Sequence, residues 1–534
     1  MGKVLQVNDP TGTYGFSYDN MGRLIGTTTQ YTFLPSNNFT NSYTYDANSN
    51  RLTLTDPQGG VTSYAYDTLN RLSTLTPPTA FSSSGFGFTY DALSRRTQMT
   101  RPNGVTTNYT YDNLSHLLSV LHQVSSSTID GAAYTYDSAG NRTAKTNEKT
   151  AVTSNYTYDP LYELTKVTQS TNTTESYSYD PVGNRLSSLG VSSYTNNSSN
   201  ELTSSSAASY AYDANGNTTS KTVSGSMTNY TWDYENRLTS VVLPGTGGTV
   251  AFKYDGFGRR VQKAFTQGST TTTTNYLYEG ANTIEDVDQN GNVLARYEQT
   301  TNIDEPLAEL RSGTTSYYQA DGLGSVTSLS SSAGALANTY TYDSFGNLTA
   351  STGSLTNRFQ YTGREFDPET GIYFYRARYY DPNPGRFASE DSFGFGGGEN
   401  FYVYGYNSVV NLDDPFGLCP SNCHCGCSKC HNVNMLVTGY DNSFKSTGKN
   451  PGDPGYGITA SGTKAGPGTI AAPRNIPFGT GMFVPGYGCG TVSDRGGRKT
   501  IAGTHIDVWF SSEQQANNWG VKHQVPVEVC DDGN

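Results

Sequence analysis

A Tyr-Asp pair recurs along the first half of this chain at a nearly constant spacing. Each full copy has an aromatic residue two positions before the Tyr, and most steps between copies are 20 to 25 residues. The full copies are Tyr18-Asp19, Tyr45-Asp46, Tyr66-Asp67, Tyr90-Asp91, Tyr111-Asp112, Tyr136-Asp137, Tyr158-Asp159, Tyr179-Asp180, Tyr212-Asp213 and Tyr254-Asp255. Degenerate copies are Trp232-Asp233 and Tyr278-Glu279. A period of this length indicates repeated supersecondary units.

Each unit has the pattern of a β-hairpin. Aromatic residues at i and i+2 fall on one face of a strand, and Asp followed by Gly or Asn favours a tight turn. A single hairpin cannot bury its own face, but hairpins side by side can. The chain also contains 41 Tyr and 58 Gly but almost no helical periodicity. The sequence therefore predicts an all-β fold with a long, curling antiparallel sheet.

These repeats resemble those of YD (RHS) repeat proteins, with the resemblance covering roughly residues 10–300. In that family the sheet spirals into a hollow shell. The resemblance implies a repeat region over residues 1–312. It also implies that the repeated Tyr and Asp side chains build the sheet and carry no chemistry.

Residues 313–418 break the period and form a separate pattern. Its motifs include Ala377-Arg-Tyr-Tyr-Asp-Pro382, Gly385-Arg-Phe-Ala-Ser-Glu-Asp391 and Asp414-Pro-Phe-Gly-Leu418. In this order they resemble the RHS-repeat-associated core domain, which closes the shell and in which a DPxGL end is often an autoproteolysis site.

The resemblance implies a cut after Leu418 and assigns Arg378, Asp391 and Asp414 to it. Two crowded carboxylates tend to share a proton, so that one acts as acid and one as base, and a nearby guanidinium can orient one of them. The alternative is that these residues are hydrogen-bonded parts of a structural plug.

The cysteines mark a module boundary at about residue 418. All seven follow it: Cys419, Cys423, Cys425, Cys427, Cys430, Cys489 and Cys530. Residues 419–434 read as a Cys-rich linker. The spacing of Cys423, Cys425, Cys427 and Cys430 allows a zinc site, whereas an oxidising compartment favours disulfides, among them a Cys489–Cys530 pair. We favour disulfides, and no cofactor is expected.

The net charge of −12 lies almost wholly before this boundary, because residues 419–534 hold 9 Lys+Arg and 8 Asp+Glu. An acidic surface is a poor partner for nucleic acid. The sequence has no apolar run of the roughly 20 residues that a membrane span needs. The N-terminus shows no signal peptide, so we expect a piece of a longer protein, secreted or held at the bacterial cell surface.

Residues 435–534 carry a second ordered set of motifs separated by Gly and Pro. They include Leu436-Val-Thr-Gly-Tyr440, Gly457-Ile-Thr-Ala-Ser-Gly462, Asp494-Arg-Gly-Gly497 and Ile506-Asp-Val-Trp-Phe510. Short strands of this kind indicate a small barrel. The set resembles the 3D (three-aspartate) domain, a double-psi β-barrel of peptidoglycan lytic transglycosylases.

The resemblance assigns catalysis to Asp494 and Asp507, and the cleft lining to Thr459 and Ser461. The position of the first family aspartate holds Ala472, and the segment after Asp494 is about two residues longer than usual. The apolar neighbours of Asp507 predict a raised pKa, which a general acid needs. The alternative is that Asp494 caps a turn and Asp507 is a surface residue of a strand. For Thr459 and Ser461, a role in forming a turn is equally expected.

Three functions compete on this sequence. The first is an RHS-type polymorphic toxin whose C-terminal domain cleaves peptidoglycan glycan strands, with an immunity protein as a further partner. The second is a secreted or surface protein whose barrel binds polysaccharide without cutting it, which Ala472 favours. A nuclease ranks third, because we find neither a His-Asn-His constellation nor a basic surface.

Overall fold

The computed structural model describes residues 3–418, 430–443, 449–450, 453, 456–461, 464–465, 469–474, 476, 480–484, 488–495, 505–510, 513, 516–517 and 521–530. The chain forms two compact units. The first comprises residues 1–389 with 407–411, and the second comprises residues 390–406 with 412–534.

The repeats of the first unit form two long antiparallel sheets in which each strand pairs with the next along the chain. The first sheet has 17 strands: β1 Gln6–Asp9, β2 Gly12–Tyr18, β3 Leu24–Tyr31, β4 Phe39–Tyr45, β5 Arg51–Thr55, β6 Val61–Tyr66, β7 Leu72–Thr76, β8 Phe86–Tyr90, β9 Arg96–Thr100, β10 Val105–Tyr111, β11 Leu117–Val124, β12 Ser127–Tyr136, β13 Arg142–Asn147, β14 Thr153–Tyr158, β15 Leu164–Gln169, β16 Asn172–Tyr179 and β17 Arg185–Ser188.

The second sheet has 16 strands: β18 Thr195–Asn196, β19 Leu202–Ser204, β20 Ser209–Tyr212, β21 Thr218–Val223, β22 Ser226–Trp232, β23 Leu238–Val242, β24 Thr249–Tyr254, β25 Arg260–Gln267, β26 Thr270–Glu279, β27 Asn282–Val287, β28 Val293–Gln299, β29 Pro306–Arg311, β30 Thr314–Ala320, β31 Val326–Ser330, β32 Leu336–Tyr342 and β33 Leu348–Thr352. The sheets share cores, in one of which Leu75 and Phe86 pack with Leu307 and Tyr317. The prediction of long antiparallel sheets is confirmed.

The Asp of each repeat organises a turn slightly larger than the predicted one. Asp91 Oδ1 accepts the backbone N–H groups of Leu93 and Arg95, both at 2.9 Å, and Oδ2 accepts Arg95 Nε at 2.7 Å. Between them Ser94 has a φ of 63°, and the equivalent Gly22 has a φ of 76°. The hairpin therefore has a third loop residue in the left-handed region, because the Asp side chain supports a longer loop than two residues.

A third, small sheet lies within the first unit. Its strands are β34 Glu365–Asp367, β35 Ile372–Tyr375, β36 Arg378–Asp381 and β37 Arg386–Phe387. Every residue of β35 and β36 is buried. The 3-10 turns Tyr361–Gly363, Gly394–Gly397 and Gly405–Asn407 flank or follow it along the chain.

The second unit contains a closed six-stranded barrel, in the order β38-β42-β39-β41-β40-β43. Its strands are β38 Cys430–Tyr440, β39 Thr469–Ala471, β40 Gly481–Val484, β41 Gly488–Asp494, β42 His505–Trp509 and β43 Val521–Cys530. Val437, Ile470, Val492, Ile506 and Val508 fill it and are fully buried. A small C-terminal β domain is thus present, as predicted.

The backbone corrects one expectation about the cysteines. Strand β40 lies between the strands that carry Cys489 and Cys530. Two strand spacings are about 10 Å, which exceeds the Cα separation that a disulfide spans. A Cys489–Cys530 disulfide is therefore wrong for this barrel, and the residue opposite Cys530 in register is Cys430. Cys419, Cys423, Cys425 and Cys427 lie outside the described residues.

Candidate functional site

Strand β39 brings the two predicted catalytic aspartates together. It is parallel to β41 on one side and antiparallel to β42 on the other. Ala471 is the register partner of both Asp494 and Asp507. Neighbouring strands are about 4.8 Å apart, so the two carboxylates belong to one end of the barrel with a single strand between their backbones.

Asp507 is largely buried and bonded to the neighbouring strand. Thr438, its register partner on β38, donates a hydrogen bond from its hydroxyl to Asp507 Oδ1. Burial raises the pKa of the Asp507 carboxyl above its usual range, and the charge of Asp494 raises this pKa further, while His505 opposes both. A carboxyl in such surroundings keeps its proton to a higher pH than a solvated one.

His505 is part of this cluster. Its Nε2 is 2.8 Å from Thr438 Oγ1 and 3.4 Å from Asp507 Oδ1. Residues 505 and 507 share a strand face, and the hydroxyl of Thr438 contacts both side chains.

Asp494 has a different environment, made of three hydrogen-bond donors. Tyr440 OH donates to Oδ2 at 3.0 Å, and the backbone N–H groups of Ala460 and Arg495 donate to Oδ1 at 2.9 and 2.8 Å. These donors fix the orientation of the Asp494 carboxyl group.

The two predicted cleft-lining residues flank Ala460, whose backbone N–H donates to Asp494. The hydroxyl oxygens of Thr459 and Ser461 are 3.0 Å apart, and Ser461 N–H donates to the Ser493 carbonyl at 3.1 Å. Thr459 is buried, whereas Ser461 is exposed. The backbone of Ser461 therefore lies beside Ser493, the residue before Asp494.

Ala472 occupies the position of the missing aspartate and belongs to the barrel core. It is 1% exposed and packs in the cluster that includes Val437 and Ile506. Its backbone N–H donates to the Asp494 carbonyl at 3.2 Å. The methyl group suits this apolar position, and the strand still supports Asp494 through the backbone.

Three residues at this site escaped the sequence reasoning: Thr438, Tyr440 and Arg495. Thr438 and Tyr440 were visible only as alternate residues of a strand, and which carboxylate each would meet depends on the pairing of β38. Among the described residues no group of three or more His, Cys, Asp or Glu side chains is arranged to hold a metal. Of the possible zinc ligands, Cys430 is described only as a backbone position.

The DPFGL end forms a second local arrangement. Asp414 is 1% exposed, and its Oδ1 accepts the backbone N–H of Leu418 at 3.0 Å. A Cβ added to Gly397 would collide with Asp391 Oδ2 and would lie 3.0 Å from the Leu418 carbonyl oxygen. The Asp391 carboxyl and the Leu418 carbonyl thus border the same small space. Arg378 is buried in β36, with its guanidinium carbon 3.6 Å from the Phe387 ring centre.

Family models match three parts of the chain. The Teneurin YD-shell model matches residues 146–397, the RHS Repeat model residues 42–80, and the 3D domain model residues 468–531. The last match contains both Asp494 and Asp507.

Curated relatives and a solved structure each match about half or more of the chain. The tRNA nuclease WapA of Bacillus subtilis (strain 168) is 34% identical over 277 residues, which are 49% of this chain and 12% of that protein. The Double-stranded DNA deaminase toxin A of Burkholderia cenocepacia (strain H111) is 26% identical over 54% of this chain and 22% of its own. This chain spans only a small part of these relatives.

The crystal structure of TcdB2-TccC3 matches with a TM-score of 0.63 at 21% identity, over 78% of this chain and 25% of that one. A similarity at this identity describes the fold. In the described part of the chain, no helix has the length and apolar character needed to cross a membrane. The repeat sheets, the three family models and the shared architecture agree, and the chain belongs to the YD/RHS repeat proteins and carries a C-terminal 3D domain.

Proposed function

We propose that this chain is part of an RHS-type polymorphic toxin and that its barrel cleaves peptidoglycan glycan strands as a lytic transglycosylase. One observation carries the proposal: two carboxylates in unlike environments flank the same residue of β39. Such a toxin acts outside the producing cell, secreted or at its surface. Its partners would be peptidoglycan and an immunity protein.

In the proposed reaction Asp507 is the acid and then the base. Its raised pKa favours the protonated carboxyl, and this carboxyl would protonate the glycosidic oxygen as the bond to the muramoyl C1 breaks. The Asp507 carboxylate then takes the proton of the muramoyl 6-hydroxyl as that oxygen bonds to C1. The product ends in a 1,6-anhydro ring, and no water is consumed.

Asp494 has the complementary role. Its carboxylate, held by Tyr440 and two backbone N–H groups, stabilises the positive charge that develops on the sugar ring in the oxocarbenium-like transition state. Ser461 is positioned to hydrogen-bond the saccharide. Thr438 and His505 orient the Asp507 carboxyl.

Nucleic-acid chemistry is the competing proposal, since relatives carry the names tRNA nuclease and DNA deaminase toxin. Those names belong to proteins of which this chain matches 12% and 22%. The 3D match over residues 468–531 favours a glycan substrate for the barrel. A binding module that grips polysaccharide without cutting it is the second alternative.

The test is digestion of purified peptidoglycan by the full chain, read by mass spectrometry. We expect soluble fragments ending in 1,6-anhydro-muramoyl residues. The Asp507→Asn variant should lose at least about 100-fold in rate, the usual contribution of a general acid. Asp453→Asn, at an exposed acid of the same unit, is the matched control and should keep full activity.

Intact glycan that sediments with the wild-type chain would reject cleavage and leave the binding module. Degradation of tRNA or DNA by the chain, without any effect on peptidoglycan, would favour the nucleic-acid alternative. Loss of activity in the Asp453→Asn control would show that the assay responds to general damage.

The second activity that we propose is self-cleavage of the Leu418–Cys419 peptide bond. The bond would be hydrolysed, leaving a carboxylate on Leu418 and an amine on Cys419. The contact of Leu418 N–H with Asp414, and the space that Asp391 shares with the Leu418 carbonyl, support it. Asp391 would activate the attacking water, and Asp414 would hold Leu418 in place. Arg378 is the third residue to which the family resemblance assigns a part in the cut.

Electrophoresis and N-terminal sequencing of the expressed full chain test this cut. We expect a 116-residue fragment beginning at Cys419, absent in Asp391→Asn and Asp414→Asn and present in the control Glu148→Gln, which replaces an exposed acid. A single intact chain in the wild type would reject the self-cleavage without affecting the glycan proposal.

A further inference from the structure

Two arginines follow strands that end at the edge of the barrel that carries the aspartates. Strands β39 and β41 are parallel, and Ala471 and Asp494, the last residues of these strands, are register partners. Arg495 is the first residue after β41, and Arg474 follows β39 by three residues. The segments that follow β39 and β41 therefore begin at the same end of the barrel.

The two guanidinium groups influence each other at this edge. Arg495 Nη1 is 3.3 Å from the Ala472 carbonyl oxygen, so its side chain folds back over the end of β39. Partial burial lowers the pKa of Arg495, and the positive charge of Arg474 lowers it further, while Asp494 opposes both. Arg474 is exposed and makes no ion pair with any residue in the described part of the chain.

Arg474 is the group at this edge that a ligand can reach. It is exposed, and it adds a positive charge beside the strand end that carries Asp494, where Ala472 supplies no carboxylate to pair with it. An anionic group of the ligand would pair with this guanidinium.

We propose that Arg474 and Arg495 bind a carboxylate of the saccharide, so that the barrel prefers carboxylate-bearing glycans. Arginine is suited to this task because its planar fork matches a carboxylate. In peptidoglycan the group would be the lactyl carboxylate of a muramoyl residue that carries no peptide. A uronic acid polymer presents the same chemistry. This inference rests on the proposed glycan function of the same edge.

The experiment compares matched glycans on the full chain. The probes are peptide-free glycan strands with free lactyl carboxylates, the same strands after conversion of those carboxylates to amides, and polygalacturonate as a uronic acid polymer. Binding is measured by co-sedimentation and cleavage by the release of 1,6-anhydro ends. We expect about tenfold tighter binding of the free-carboxylate strands than of the amidated ones, as for one charge-assisted contact. Added salt should reduce this preference.

Variants of Arg474 test whether the arginine causes the preference. Arg474→Gln should bring the ratio of carboxylated to amidated strands close to one while leaving the amidated strands bound as in the wild type. Arg474→Lys keeps the charge and should keep part of the preference. Competition by polygalacturonate would identify a uronic acid as an accepted source of the carboxylate, and its failure would assign the site to the lactyl group.

The outcomes separate this inference from the proposed function. Equal binding and cleavage of both strands by the wild type would overturn the inference and leave the transglycosylase standing. Preferential binding of the carboxylated strands without cleavage would overturn the transglycosylase and support the inference. An unchanged preference in Arg474→Gln would also overturn it, because the carboxylate would then be recognised elsewhere.

Discussion

Asp494 and Asp507 show how environment separates two identical side chains. Asp507 is largely buried, and burial raises its pKa, whereas Asp494 accepts hydrogen bonds from a tyrosine hydroxyl and two backbone N–H groups. Unlike surroundings are how two carboxylates acquire different protonation states. At residue scale, the proposed acid and the proposed charge stabiliser are therefore distinguished by what surrounds each carboxylate.

Replacing Thr438 by Val should move the pH profile of glycan cleavage. The Thr438 hydroxyl donates to Asp507 Oδ1 and so favours the charged carboxylate, which means that its loss raises the pKa of Asp507. Activity that falls as Asp507 deprotonates should then persist to a higher pH, by about half a unit to one unit. Rates measured across pH check this. Thr438→Ser keeps the hydroxyl and should keep the wild-type profile, and a common shift in both variants would contradict the explanation.

Restoring an aspartate at position 472 should weaken the barrel. Ala472 is 1% exposed and packed among apolar side chains, so a carboxylate there loses its hydration. We expect Ala472→Asp to cost about 2–4 kcal/mol of the free energy of unfolding of the second unit. Denaturation followed by circular dichroism measures it. Ala472→Asn has nearly the same shape without the charge, and equal losses in both would assign the cost to volume.

At the scale of the repeated element, the tyrosine of most Tyr-Asp pairs ties one hairpin to the preceding one. Its hydroxyl donates to a backbone carbonyl at the start of an earlier strand, at 2.8 Å from Tyr90 to Leu72 and 2.7 Å from Tyr136 to Leu117. The degenerate copy keeps this bond, since Trp232 Nε1 donates to the Thr218 carbonyl at 2.7 Å. The repeat therefore needs an aromatic ring with a donor at its tip, and both Tyr and Trp provide one.

Removing one such donor should destabilise the first unit measurably. Tyr136→Phe leaves the Leu117 carbonyl without its bond and keeps the ring, so we expect a loss of about 1 kcal/mol in the free energy of unfolding. Trp232→Phe should cost at least as much, because it also removes ring volume. Urea denaturation monitored on the first unit gives the values. Tyr162→Phe, at an exposed turn position that is 49% accessible, should change nothing, and an equal loss there would contradict the explanation.

On the scale of the whole first unit, a buried glutamate and a buried histidine make its stability depend on pH in opposite directions. Burial raises the pKa of Glu298 to about 8, although the Thr62 hydroxyl partly offsets this. Burial and then the charge of Arg101 lower the pKa of His122 to about 4. Glu298 therefore contributes stability below its unfolded pKa that is lost as the pH rises towards 8, whereas the contribution of neutral His122 is lost as the pH falls from 6.5 towards 4.

Glu298→Gln should remove the first of these dependences. The amide is neutral at every pH, so the variant should match the wild type near pH 4.5 and exceed its stability above pH 8, by on the order of 5 kcal/mol. Unfolding free energies at a series of pH values test this. Glu148→Gln replaces an exposed acid and should run parallel to the wild type. A Glu298→Gln curve that also stays parallel would show that Glu298 is ionised when folded.

The sequence by itself determined the architecture of the repeats. Period, aromatic alternation and turn residues are local signals, and each strand pairs with its sequence neighbour, so a local pattern is sufficient to specify the long sheets. The candidate aspartates were also readable, because the motifs around Asp494 and Asp507 stand in order along the chain.

Tertiary structure alone decided what those aspartates meet. Thr438 reaches Asp507 across 69 positions and Tyr440 reaches Asp494 across 54, because β38 and β42 pair in parallel within a barrel whose strand order does not follow the chain. The same closure separates Cys489 from Cys530. Contacts of this kind depend on which strands become neighbours. In a barrel whose strand order does not follow the chain, the neighbours are determined by the burial of a common core, which a local pattern does not specify.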